Sequence, residues 1–235
     1  MNPGAGKAPR TKERRPSVAT LVRRRVAHSH ERFWIPSDFS GLPRRPVLRA
    51  LDRLEQQGEL RRVRRGVYWR GKRPDGGVSA PTPEQLVAQI TGLAGVGPAG
   101  ELALWALGIS LSPPARTVVC VPARAPRRIE GIELRSRAGR TGRIEQRLSP
   151  KEVALLEVLE DTALHERAAL EGLRPALADL RLERLVRAAA SEPAIVRQGL
   201  VNLLEAAGEE KLSAQVPPCF GLLARERAWR ALRSE

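Results

Sequence analysis

The stretch from Phe33 to Tyr68 constrains the fold of this 235-residue chain more than any other. It begins with a predicted apolar plug, Phe33-Trp-Ile35, followed by a short Pro-Ser-Asp-Phe segment. It then breaks at Gly41 and Pro43, continues as an arginine-studded helical pattern, and ends in two short basic strand patterns. The helical pattern places apolar residues three and four positions apart, at Val47, Leu48, Leu51 and Leu54. This spacing predicts a helix with one buried face and an opposite, charged face.

The order of the predicted elements is that of a winged helix-turn-helix, a fold that lays one helix in the DNA major groove. Ser17 is expected to cap the first helix, and Gly58 to end the third. A hairpin after the third helix forms the wing, with Arg64-Arg65-Gly66 as its turn. The predicted ranges are 17–29 for the first helix, 36–39 for a very short second helix, 44–57 for the third, and 60–63 and 67–69 for the strands.

The excess positive charge of the chain lies in the same region. The formal net charge is +15, and residues 1–78 hold 20 Lys and Arg against 7 Asp and Glu, whereas residues 79–235 hold 21 against 19. A localised positive field is the pattern expected for a polyanion partner. The sequence therefore predicts a disordered basic arm over 1–16 and a domain that binds double-stranded DNA over 17–73.

Nine side chains of this domain are candidate DNA contacts. Arg44, Arg45 and Arg49 lie in the N-terminal half of the third helix, where base edges are usually met. The wing arginines are predicted to reach phosphates or a flanking minor groove, and Ser37 lies at a helix start that favours a phosphate. The full set is Ser37, Arg44, Arg45, Arg49, Arg53, Arg61, Arg62, Arg64 and Arg65. One such module binds modestly, so a pair on two half-sites of an inverted repeat is expected.

Aromatic residues are concentrated in this domain as well. It contains five of the eight aromatics of the chain: Phe33, Trp34, Phe39, Tyr68 and Trp69. Such residues build the core of a small domain, or they form a platform on which single-stranded bases stack. The strand alternation that a stacking platform needs is missing, which favours the core.

Residues 74–82 form a predicted linker rich in Pro and Gly, and residues 83–235 predict a mixed domain. The whole chain is therefore expected to be α+β, with an N-terminal winged helix-turn-helix, then a mixed domain with a small sheet and a C-terminal helical bundle. Capping boxes at Thr82 and Ser149 mark two helix starts. Helices are predicted over 82–91, 99–107, 149–159, 166–190 with a break near Pro175, 193–207 and 220–233, and strands over 117–121, 131–135 and 143–148.

The strand-like region carries a second cluster of positive charge. Residues 116–148 contain 9 Arg against 3 Glu. Two interpretations are open: a second contact with nucleic acid, or the solvated face of a sheet.

The sequence contains no constellation of residues typical of catalysis or metal binding. Serine-hydrolase, zinc-protease and phosphate-loop motifs are absent, and a nuclease of the Asp and Glu-x-Lys type is disfavoured because no aspartate lies between Asp75 and Asp161. Three scattered histidines make no zinc site. No enzyme activity, cofactor or metal site is therefore predicted.

The sequence predicts a cytoplasmic protein without a membrane span. Cys120 and Cys219 are far apart and are expected to be buried reduced thiols rather than a disulfide. No apolar run approaches the roughly 20 residues that cross a bilayer, and the N-terminus lacks the apolar segment of a secretory signal.

The first domain contains several distinctive motifs: Asp38-Phe39, Val47-Leu-Arg-Ala-Leu51, Arg53-Leu54, Gly58 and Arg61-Arg-Val-Arg-Arg-Gly-Val-Tyr68. Together they resemble the N-terminal domain of a known family, the AbiEi-type antitoxins of abortive-infection, type IV toxin–antitoxin systems. Leu104-Trp-Ala-Leu-Gly-Ile109 and the Ser149-Pro-Lys-Glu152 helix start resemble the second domain of the family. The resemblance spans most of residues 17–208 and is most specific in the arginine-rich wing.

The resemblance implies two activities. The winged helix binds inverted repeats in a promoter and represses its own operon, and the C-terminal domain counteracts a toxin similar to nucleotidyltransferases. The alternative is a ligand-responsive winged-helix repressor without a toxin partner, which predicts a pocket with convergent polar groups in residues 79–235. A third hypothesis is an enzyme acting on nucleic acid, which predicts metal-dependent cleavage that is lost on Glu133→Ala.

Overall fold

The computed structural model describes residues 16–73, 77–126, 128–161 and 167–218, and it divides the chain into two compact units, Met1–Pro81 and Thr82–Glu235. Both units combine helices with a small three-stranded sheet, which confirms the predicted α+β class. Nearly all of the predicted basic arm, the helix predicted over 220–233, and Cys219 lie outside the described residues. Within the described ranges, no helix is both long and apolar enough to cross a membrane.

The helices of the first unit form where their local signals predict. Helix α1 spans Val18–Ala27, and the Ser17 hydroxyl caps it by accepting a hydrogen bond from the Thr20 N–H at 3.2 Å. A 3-10 segment covers Pro36–Phe39, and α2 spans Arg44–Gln56. Helix α2 buries four residues against the core: Val47, Ala50, Leu51 and Leu54.

A three-stranded antiparallel sheet completes this unit and makes it a winged helix. Its strands are β1 (Arg32–Trp34), β2 (Arg61–Arg64) and β3 (Val67–Arg70), in the order β1-β3-β2. Strand β1 was not predicted, since Phe33 to Ile35 were expected only as an apolar plug. A three-residue strand is too short for an alternation signal, and its partner β3 lies far along the chain.

The aromatic residues build the core of this unit, as predicted. Trp34 and Phe39 stack with ring centroids 5.1 Å apart, and Tyr68 is fully buried beside them. Phe33 packs against the buried Trp69 at 4.7 Å. Four of the five rings are thus buried, so they offer no platform on which bases could stack.

The second unit places helices around a sheet in which β4 is antiparallel and β6 parallel to β5. Side-chain caps at Thr82 and Ser149 form the two predicted capping boxes. The elements are α3 (Pro83–Thr91), β4 (Gly97–Pro98), α4 (Glu101–Ala106), β5 (Val118–Val121), β6 (Glu133–Ser136), α5 (Gly142–Glu145), α6 (Pro150–Val158), α7 (Arg167–Leu177), α8 (Leu182–Ala188), α9 (Ala194–Ala206) and α10 (Glu210–Ser213).

A glycine allows α6 to lie directly on β4. A Cβ atom on Gly97 would fall 2.5 Å from the Val153 Cβ and 3.0 Å from the Pro150 carbonyl oxygen. The glycine-rich run from Gly95 to Gly100, predicted as a turn, therefore also contains a short strand pressed against a helix.

One predicted element of the second unit was wrong. The strand predicted over 143–148 is the short helix α5 and a turn, because the Gly142 N–H bonds to the Ser191 hydroxyl at 2.9 Å and the Arg143 side chain is drawn into the interior. The helical pattern predicted over 166–190, with a break near Pro175, is two helices, α7 and α8, and α7 ends at Leu177. Just before α8, the Arg181 N–H donates to the Glu152 carboxylate at 3.3 Å.

Candidate nucleic-acid interface

The arginines of the predicted DNA surface are exposed and have no internal partner among the described residues. All eight guanidiniums, on α2 and the wing, are solvent-exposed, as is Ser37. Within the described residues, none of the eight forms an ion pair or a side-chain hydrogen bond. Nearby arginines behave differently: Arg23 pairs with Glu59 at 2.5 Å, and Arg32 with Asp38 at 3.5 Å.

Two arginines define the outer face of α2. Arg45 and Arg49 are four residues apart, so their side chains lie one above the other on the helix. This face is opposite the buried stripe of Val47, Leu51 and Leu54. Both side chains are free to enter a groove of duplex DNA.

A concave surface lies between the 3-10 segment, the N-terminal half of α2 and the wing. This wing–helix groove has a volume of about 750 Å³. Four of the nine predicted residues line it together: Ser37, Arg44, Arg62 and Arg65. Its floor includes Leu48, Asp52 and Tyr68. Cations from two separate elements thus converge on one channel, an arrangement suited to a phosphodiester strand.

The structure does not bring Arg53 into this groove. Arg53 lies on the side of α2 that faces α1, where it lines a separate depression of about 540 Å³ with Thr20, Arg23 and Arg24. Among the predicted residues, it is the one farthest round the helix from Arg44.

The wing hairpin is tight and irregular. Its two-residue turn is Arg65-Gly66, with Gly66 at φ +74°, so Arg64 belongs to β2 rather than to the predicted turn. Arg62 pairs with Tyr68 in register, and a bulge falls between Arg62 and Arg64. A bulge increases local twist and redirects side chains, so the wing arginines do not all share one face of the strand.

One polar contact links α2 to the wing. The Tyr68 hydroxyl donates a hydrogen bond to Asp52 Oδ1 at 2.5 Å. Burial raises the pKa of Tyr68 above its ordinary value, and the bond to Asp52 and the charge of that carboxylate raise it further. Asp52 and Tyr68 are 16 residues apart on different elements, and no local pattern in the sequence indicates this contact.

Positive charge also continues onto α1, which the sequence-based set leaves out. Arg24, Arg25 and His28 line a depression of about 520 Å³ that meets the wing–helix groove at Phe39. The Arg25 guanidinium lies 5.5 Å from the centre of the Phe39 ring. The run of three arginines in the first helix was the signal for this extension.

Part of the second basic cluster is internal. Arg137, Arg140 and Arg143 meet three carboxylates of the second unit in an arginine–glutamate cluster, whose acidic members are Glu157, Glu160 and Glu192. The fully buried Arg143 binds both oxygens of Glu192, at 2.6 and 2.9 Å, and Glu157 at 2.7 Å. Three of the nine arginines of 116–148 are therefore committed to internal ion pairs.

The arginines of this cluster control the ionisation of Glu157. Burial raises the pKa of this carboxyl, but the hydrogen bond from Arg137 and the charges of Arg143 and Arg137 outweigh burial and hold the pKa below its usual range. The cluster is thus a balanced set of three cations and three anions.

Glu133, the candidate of the nuclease hypothesis, lies on the surface, 3.6 Å from Arg135 and 3.9 Å from Arg116.

The described ranges hold no group of three or more His, Cys, Asp or Glu able to bind a metal. Cys120 is buried, and burial raises the pKa of its thiol to about 12.

Comparison with known proteins gives a distant structural similarity. No protein-family model matches the chain, and no curated protein matches it. The crystal structure of the RV2827C protein from Mycobacterium tuberculosis is similar over 83% of this chain and 79% of that chain, at 18% identity and a TM-score of 0.39. The interface geometry described above does not depend on this similarity.

Proposed function

We propose that the first unit binds duplex DNA sequence-specifically, with α2 in the major groove and the wing against the sugar–phosphate backbone. The observation that carries this proposal is the set of eight exposed arginines on α2 and the wing, which have no internal partner in the part of the chain that the structure describes. A guanidinium in an ion pair already donates its N–H groups to a carboxylate, as in the arginine–glutamate cluster. A free guanidinium keeps five N–H donors for phosphates and guanine edges.

The surface divides into two roles. Arg45 and Arg49, on the outer face of α2, are the base-reading candidates, and a bidentate arginine–guanine contact discriminates by about 1–3 kcal/mol. Arg44, Arg62 and Arg65 line the wing–helix groove and bind phosphates, which add affinity without sequence information. Arg44 thus moves from the predicted base-reading group to the backbone group.

The regulatory role that fits this unit best is autorepression of a toxin–antitoxin operon, with the second unit counteracting a nucleotidyltransferase-like toxin. Support comes from the AbiEi-like motifs of the sequence. One of them, Leu104 to Ile109, carries the exposed Trp105 (49%) and Ile109 (37%), and Leu111 follows at 96%. Exposed apolar side chains around a tryptophan are typical of the centre of a protein–protein interface.

The test separates the two activities. Arg45→Ala with Arg49→Ala should abolish the mobility shift of promoter DNA at fixed salt, yet leave rescue of toxin-expressing cells intact. Arg174→Ala is the matched control, because it removes one exposed arginine from a helix of the second unit. Specific binding that survives the double substitution would show that α2 does not read the operator. Co-purification with the product of the adjacent gene tests the toxin partner.

A ligand-responsive repressor is the second candidate, and one observation favours it. Glu101, Arg116, Glu133 and Arg135 converge around a depression of about 420 Å³ in the second unit. A thermal-shift screen of small zwitterions and anions against wild type and Arg135→Ala tests this role. A ligand that stabilises only the wild type and releases operator DNA would support it.

A further inference from the structure

A buried tyrosine and a half-buried aspartate join the two elements that carry the arginine surface. Tyr68 is fully buried on β3, and its hydroxyl donates to Asp52 Oδ1, on α2, at 2.5 Å. Arg62 stands directly opposite Tyr68 in the β2–β3 register. The bond therefore lies behind one of the cations of the wing–helix groove.

The charge of Asp52 is not used to neutralise the arginines around it. Asp52 shares the groove with Arg44, Arg62 and Arg65, yet it forms no ion pair with any of them in the described part of the chain. A carboxylate close to a phosphate path repels the phosphates, so its presence in the groove calls for another role. The hydrogen bond with Tyr68 gives Asp52 such a role.

We propose that Asp52 and Tyr68 are positioning residues, which set the distance of the wing from α2 so that Arg62 and Arg65 reach the same DNA backbone strand as Arg44. This inference rests on the proposed DNA-binding function and assigns these two residues a role within it. Neither residue needs to touch DNA. Their bond acts through the arginines that do.

The wing needs such an anchor because its outer strand is held on one side only. β2 is an edge strand that pairs with β3 alone, and this pairing is disrupted by the bulge between Arg62 and Arg64. Binding groups must be held to within about 0.5 Å, by packing and by hydrogen bonds behind them, to act together. Tyr68 provides both, since its ring lies in the core and its hydroxyl is tied to α2.

A double-mutant cycle separates positioning from general stabilisation. In the Tyr68→Phe background the hydroxyl is lost while the ring stays in the core. Arg65→Ala should weaken operator binding about tenfold in the wild type but much less in this background, because the wing arginine is no longer held in place. Arg45→Ala is the matched control, and its cost should be the same in both backgrounds.

Asp52→Asn gives the conservative rescue. The amide oxygen of asparagine still accepts the tyrosine hydroxyl, so the full effect of Arg65→Ala should persist in this variant. Asp52→Ala removes the acceptor and should reproduce the Tyr68→Phe result, which provides a second variant if Tyr68→Phe does not fold. Circular dichroism verifies that each variant is folded at the temperature of the binding assay.

The outcomes are distinct. Loss of the Arg65 effect in Tyr68→Phe and Asp52→Ala, with its retention in Asp52→Asn, supports positioning. If Arg65→Ala weakens binding equally in all backgrounds and operator specificity is intact, the positioning role is refuted while the proposed DNA-binding function stands. A wild-type protein that binds operator and scrambled duplex equally refutes the proposed function, and the positioning role with it.

Discussion

Glu157→Gln should destabilise the second unit far more than the loss of an ordinary ion pair. The Glu157 carboxylate accepts hydrogen bonds from Arg137, Arg140 and Arg143 over distances of 2.6 to 3.2 Å. The substitution keeps one acceptor oxygen but removes the negative charge. Three buried or half-buried guanidiniums then face two carboxylates instead of three.

The magnitude follows from burial. The side chains of Glu157 and Arg143 are 1% and 0% exposed. Removing one partner of a buried pair leaves an uncompensated charge and costs about 3–5 kcal/mol. For a unit of this size, about 2–4 °C of melting temperature is lost per kcal/mol, so we expect a fall of about 10 °C.

Differential scanning calorimetry at neutral pH provides the assay, and the chain offers a matched control. Lys151 and Asp179 form an ion pair of similar length, 2.9 Å, but their side chains are 54% and 71% exposed. Asp179→Asn should therefore cost less than about 1 kcal/mol. Equal, small falls in melting temperature in both variants would refute the reasoning that burial makes the ion pairs of the arginine–glutamate cluster important for stability.

Three further predictions concern salt and pH. Replacing Arg62 and Arg65 with alanine should reduce the slope of log K against log salt by about 1.8, measured by fluorescence anisotropy on operator DNA; an unchanged slope would place these arginines away from phosphates. The pKa of Glu157 is lowered in the folded state, so ionised Glu157 stabilises the fold fully above about pH 4.3, the pKa of a glutamate in the unfolded chain. This stabilisation is lost as the pH falls through the pKa of the folded state, and thermal melts of Glu157→Gln in acid should lack this loss. Because the pKa of Tyr68 is raised in the folded state, the contribution of Tyr68 to the free energy of unfolding is complete below about pH 10 and is lost at higher pH. Tyr68 is the single tyrosine of the chain, and its ultraviolet titration should show ionisation only well above pH 10.

Local signals were sufficient for much of the fold. The apolar spacing of α2 and the capping boxes at Thr82 and Ser149 depend on residues within a turn or two, and each marks a helix where the structure has one. Strand β1 depends instead on pairing with β3, and the short helix α5, predicted as a strand, is held by the Ser191 hydroxyl 49 residues further along the chain. Such non-local contacts leave little trace in the surrounding sequence.

The candidate site was predictable as a set of residues but not as a geometry. The sequence supplied Ser37, Arg44, Arg62 and Arg65, and the groove that brings them together comes from the packing of the wing on α2. Arg53 falls outside it because it lies roughly two and a half turns beyond Arg44, on the opposite side of the helix.

Arginine content was a partial guide in the second unit. The positive charge of 116–148 suggested a surface, but Arg143 is fully buried with Glu192, which lies 49 residues further along the chain. A charge count within one segment cannot register acidic partners supplied by distant helices. In the first unit, where carboxylates are fewer, the arginines of α2 and the wing stay exposed.

Under the proposed function, the exposed guanidiniums of the first unit would also govern how the protein finds an operator. Chromosomal DNA is present in vast excess over any single promoter, and exposed positive charge binds a duplex without regard to sequence. A protein with this surface would exchange between duplex segments and reach its operator by sliding and hopping. Material released from lysed cells should accordingly carry nucleic acid until high salt strips it away.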